Sequence, residues 1–78
     1  MNEKTGPNVG ARVRALREER KLSLRALAQR SGLSVNAISL IERGENSPTV
    51  SSLHMLAGAL ETSITDFFRS EADQHAVY

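Results

Sequence analysis

The 78-residue sequence predicts an all-α protein, a bundle of five short helices. Three observations carry that expectation. Apolar residues recur at three- and four-residue spacing, the period of a helix with one buried face. A Ser, Thr or Asn stands just before each stripe, and glycine follows two of the stripes. Period-two alternation, the mark of a half-buried strand, does not occur. The length allows one small domain, and the lack of cysteine excludes a disulfide framework and any thiolate metal site.

The first helix is expected near residues 9–20, with Val9, Val13 and Leu16 as its stripe and Asn8 as N-cap. Arg20 and Lys21 suit the negative end of its dipole. Ser23 caps the second helix, whose inner face is Leu24, Leu27 and Ala28. Gly32 ends it, because the residue after a helix usually needs positive φ. Ser34 then caps a third helix running from Val35 to about Arg43, with Ile38 and Ile41 inward and Gly44 as its stop. Residues 44–48 form a loop. Thr49 caps the fourth helix, with the stripe Leu53, Leu56, Ala57 and Leu60. Ser63 and Asp66 have the spacing of a capping box, which would open a fifth helix carrying Ile64, Phe67 and Phe68. Neighbours on a helix diverge by about 100°, so one of the two phenylalanines must face away from the core. Residues 1–7 are expected to be a loose arm, 9–68 the domain, and 69–78 a tail or linker.

The formal net charge of +1 conceals an asymmetry. Residues 9–43 carry eight basic against three acidic side chains, and residues 44–78 carry one against five. This distribution suits a polyanion met by one face, and it equally suits a solvated surface with chance clustering. No apolar run approaches the roughly 18 residues of a membrane span, and the N-terminus lacks the apolar stretch of a signal peptide. A cytoplasmic protein is therefore expected. His54 and His75 stand far apart, and no HExxH or Cys/His cluster occurs, so neither a metal nor another cofactor is expected. Glu18 and Glu19 are neighbours on an exposed face, and no nucleophile–base arrangement or phosphate-cradling loop is visible. The residues give no support to an enzyme.

The informative feature is the helix pair around Gly32. Ala28 is small enough for close approach, Gly32 supplies the sharp turn, and Ile38 and Ile41 seat the second member on the bundle. The linker of about three residues gives a helix-turn-helix over 23–43. One face of that helix, with Val35, Asn36, Ser39, Leu40 and Arg43, has no part in the core.

The segments 22–28 (LSLRALA), 31–34 (SGLS), 38–44 (ISLIERG) and 47–49 (SPT) closely resemble the Cro/C1-type (xenobiotic-response-element, XRE) helix-turn-helix family. Residues 63–68 (SITDFF) resemble that family's fifth helix, so the likeness covers residues 9–68. Residues 36–49 are most similar to members carrying a C-terminal cupin sensor domain. The resemblance implies a lambda-repressor-like fold and a bacterial or phage transcriptional regulator, a repressor that binds double-stranded DNA as a homodimer. It implies that the helix from Val35 enters the major groove. There Asn36 would pair with adenine, Val35 or Leu40 would touch a thymine methyl, and Ser39 would donate or accept. Leu40 has a second reading as filler at the domain edge. Arg43 would reach a guanine or a phosphate. The helix N-termini at Ser23 and Ser34 would face phosphates, joined by Arg25 and Asn46. Both serines are also ordinary N-caps. Arg12, Arg14 and Arg30 are expected to be solvated surface charges.

Three departures stand out. Leu24 replaces the glutamine of many members, Lys21 replaces the usual glycine after the first helix, and Val35 and Leu40 are apolar where several relatives carry amides. The resemblance also pairs Glu42 with Arg17, which accounts for an acid in the last turn of a helix, where the dipole disfavours it. A dimer is expected on a palindromic operator, through residues 64–68, because one recognition helix contacts few bases. The alternative from another class is a protein-interaction module of the same fold, an antitoxin or adaptor. Salt separates the two, since phosphate contacts weaken steeply as salt rises.

Overall fold

The computed structural model describes residues 8–68; the expected arm at 1–7 and tail at 69–78 lie outside them. Four α-helices follow one another, α1 Val9–Glu19, α2 Leu24–Ser31, α3 Val35–Glu42 and α4 Val50–Leu60. A single 3₁₀ segment, Ile64–Phe68, closes the described chain. Among the described residues no strand forms. No helix there is long and apolar enough to cross a membrane.

All four helices begin the same way. Asn8, Ser23, Ser34 and Thr49 sit in extended backbone, and each side chain accepts the amide three residues on, at Ala11, Ala26, Ala37 and Ser52. Three of the four also end alike. After α1, Leu22 N–H bonds to the Arg17 carbonyl (3.0 Å) and Lys21 N–H to that of Glu18 (2.9 Å). The same pair of bonds closes α3 through Glu45 and Gly44, and α4 through Thr62 and Glu61. This Schellman arrangement needs a left-handed residue, supplied here by Lys21 (φ 58°), Gly44 (φ 76°) and Glu61 (φ 56°).

The core is one cluster: Val13 and Leu16 of α1, Leu27 of α2, Ile38 and Ile41 of α3, Leu53, Leu56, Ala57 and Leu60 of α4, and Phe67. Helix α1 packs on α3 and on the 3₁₀ segment, while α2 lies against α3 and α4. Phe67 is fully buried and Phe68 is 46% exposed, so the pair diverges as adjacent side chains must.

Two expectations need correction. The fifth element is a five-residue 3₁₀ turn rather than a helix, and the Ser63–Asp66 capping box does not open it. Ser63 Oγ accepts the Thr65 amide (3.2 Å), Asp66 N–H goes to the Ser63 carbonyl (3.0 Å), and the Asp66 carboxylate accepts the Thr62 hydroxyl. So short a segment gains more from i→i+3 closure and from burying Phe67 than from an α-helical turn. Arg12 is also no free surface charge. It is half-buried, and its Nε donates to the Asp66 carbonyl (3.1 Å), tying α1 to the 3₁₀ segment. Arg14 and Arg30 are exposed, with Arg14 paired to Glu18 at 3.1 Å on the same helix face.

Candidate nucleic-acid interface

The turn between α2 and α3 is built differently from the other helix ends. Gly32 adopts φ 84°, and its N–H bonds to the Ala28 carbonyl (2.9 Å). The next amide, Leu33 N–H, goes instead to Ser31 Oγ (3.2 Å), whose hydroxyl in turn reaches the Ala28 carbonyl (3.4 Å). Ser31 is a polar residue buried at the end of α2. Its hydroxyl takes the amide that would otherwise close a Schellman pair, and the chain turns directly into the Ser34 cap. That geometry sets the angle between α2 and α3.

Helix α3 is held from behind by α1. Arg17 and Glu42 meet in a two-pronged ion pair, Nε to one carboxylate oxygen at 2.7 Å and the second terminal nitrogen to the other at 3.1 Å. Their side chains are only 13% and 6% exposed. The remaining guanidinium nitrogen donates to the Leu22 carbonyl (2.9 Å), so the same arginine also fixes the α1–α2 link. The Glu42 hydrogen bonds raise the Arg17 pKa above its usual value, outweighing the opposing effect of burial. The stability linked to that shift is fully present below the ordinary arginine range and fades only at more alkaline pH.

Most of the side chains that the sequence assigns to DNA are open to solvent. Ser23, Arg25, Ser34, Val35, Asn36, Arg43 and Asn46 are all exposed, with Val35 retaining 41% of its surface. Ser39 and Leu40 are half-buried at the edge of α3. The caps satisfy only the third amide of α2 and α3, leaving the amides of the first two residues without helical partners. Each helix thus has a positive end with free amides, Arg25 standing in the first turn of α2 and Asn36 in that of α3. Arg43 lies 3.8 Å from Glu45, both well exposed. The Leu40 carbonyl accepts the amides of Glu45 (2.9 Å) and Asn46 (3.3 Å), which folds the loop back beside α3. Among the described residues no group of three potential metal ligands comes together.

Two short helices joined by a turn locked by the buried Ser31 side chain, the second presenting a solvent face while its back is clamped, define a helix-turn-helix protein. The HTH_3 helix-turn-helix family model matches residues 13–67, and the chain belongs to that family. The immunity repressor protein of Bacillus phage phi105 is 40% identical over 57 residues, covering 73% of this chain and 40% of that protein. The chain thus spans less than half of that relative. The restriction-modification controller protein C.AhdI of Aeromonas hydrophila superposes with a TM-score of 0.76 at 33% identity, covering 78% of this chain and 92% of that one. The P22 c2 repressor, solved in complex with a synthetic operator, gives 0.73 at 35% identity over 81% and 96%.

Periodicity alone singles out neither Gly10, Arg12 nor Ser31. Gly10 carried one usable signal, a lone glycine inside a helical run. Nothing in the pattern marks a serine in the last turn of α2 as buried.

Proposed function

We propose that the chain is the DNA-reading domain of a transcriptional regulator, a repressor, with α3 in the major groove of a double-stranded operator. The observation that carries this reading is the division of α3 into two sides. Ile38, Ile41 and Glu42 are committed to the scaffold, while Val35 and Asn36 in the first turn and Arg43 at the C-cap stand in solvent. Asn36 offers a planar amide suited to adenine, Val35 and Leu40 suit thymine methyls, Ser39 pairs with either partner, and Arg43 reaches a guanine or phosphate. Ser23, Arg25, Ser34 and Asn46 supply the backbone contacts that hold register. The P22 c2 repressor, similar to this chain and solved in complex with a synthetic operator, supports DNA binding.

A homodimer on a two-fold operator fits the exposed Phe68, which ends the 3₁₀ segment on a half-buried Ile64. Half-sites would then lie about 34 Å or a multiple apart. Selection of bound duplexes from a random pool tests the whole reading. The expected product is a short two-fold motif whose affinity falls steeply with salt. Failure to enrich any sequence, or binding indifferent to salt, overturns it.

A further inference from the structure

We propose that Gly10 is a positioning residue for base recognition: it sets how close α3 stands to the scaffold. The inference rests on the DNA-binding reading above. A Cβ built on Gly10 would lie 2.1 Å from the Ile41 carbonyl oxygen and 3.1 Å from that of Glu42. The obstacle is backbone, so no side-chain rotation relieves it. The Ile41 carbonyl also accepts the Gly44 amide (3.0 Å), and any displacement must carry the end of α3 with it.

Gly10 and Arg17 stand seven residues apart, two turns along one face of α1. Together they hold the C-terminal end of α3 at two points. The arginine is long and can follow a moving partner; the glycine contact has no such freedom. The opposite end of α3 is pinned by the Ser31–Gly32 turn. Pushing the C-terminus outward therefore pivots α3 about that turn, displacing Arg43 most, then Leu40 and Ser39. Ser23 and Arg25, in the first turn of α2, lie on a different element from the displaced Ile41 and Glu42 backbone. The base contacts of Ser39, Leu40 and Arg43 should fail, while Asn36 beside the pivot and the α2 phosphate contacts of Ser23 and Arg25 persist.

The experiment uses the full 78-residue chain and the duplex it selects from a random pool, with a scrambled duplex as reference. Wild type and Gly10→Ala are measured on both at several salt concentrations, with the folded fraction taken from circular dichroism. Gly10→Ala is also placed on a Gly58→Ala background. Gly58 is a mid-helix glycine whose added Cβ meets nothing within 4 Å, so that change favours α4 without touching α3. The expected result is a loss of about tenfold or more on the selected duplex, the size of one lost base contact. Affinity for the scrambled duplex and the salt slope should stay unchanged. Equal losses on both duplexes, no loss on either, or a chain unfolded even on the stabilised background overturns the role. A wild-type chain that fails to discriminate between the duplexes overturns the DNA-binding reading itself.

Discussion

Single residues divide into those that hold the frame and those that meet the partner. Arg17 and Glu42 belong to the first kind, two-pronged and largely hidden from water. Removing one partner of such a pair strands a charge, so Arg17→Ala or Glu42→Ala should cost about 3–5 kcal/mol. A double-mutant cycle in urea checks this, and negligible coupling would remove the pair from the frame. Asn36 and Arg25 test the second kind. Asn36→Ala should lose about 1–3 kcal/mol on the selected duplex and relax one base position. Arg25→Ala should weaken all sequences alike and lower the log–log salt slope by about one. Binding of both variants to selected and scrambled duplexes decides the matter, and the reverse pattern would invert the docking. An acid in the last turn of a helix hints in sequence that Glu42 has a partner. The hydroxyl of Ser31 gives no such hint, because its role depends on where the turn sends the Leu33 amide.

At the scale of elements, the helices were legible because their punctuation is local. Asn8, Ser23, Ser34 and Thr49 each act within three residues of themselves, and the bounds of α1 to α4 follow closely from those caps. The closing segment was misjudged because capping spacing says nothing about whether five residues suffice for an α-turn. The left-handed position at Glu61 carries no glycine to mark it, and at Lys21 only the glycine usual in the resembling family points to such a position. An L-residue there costs roughly 1–2 kcal/mol, part of which a glycine would return as unfolded-state entropy. Glu61→Gly should therefore raise the melting temperature by a few degrees, about 4–8 °C per kcal/mol in a domain of this size. Ser31→Ala should act in the opposite direction by about 1–3 kcal/mol, because it leaves the Leu33 amide unpaired. Thermal melts followed by circular dichroism check both signs.

For the whole molecule, the division of charge along the chain matches a division of labour. The basic part contributes α1, α2 and α3, which build and present the surface proposed to face DNA, and the acidic part contributes α4 and the 3₁₀ segment. Of the latter, Phe68 leaves a large apolar side chain 46% exposed at the end of the described chain. Phe68→Ser should leave the fold intact, because of the two phenylalanines only Phe67 belongs to the core. It should abolish cooperative filling of a two-half-site operator while leaving single half-site affinity unchanged. Titrations on duplexes with one and two half-sites check this, and unchanged cooperativity would place the dimer contact elsewhere.

The two-sided build of α3 has a consequence for how such a protein changes its target. The side chains facing outward share no packing duty with Ile38, Ile41 or Glu42, and the clamp from α1 acts on backbone and a single carboxylate. Val35, Asn36 and Arg43 can therefore be exchanged as a set without renegotiating the bundle. Ser39 and Leu40, half-buried at the margin, are where retargeting and stability begin to conflict. A lineage built on this frame can drift to new operators quickly through three positions and only slowly through the other two.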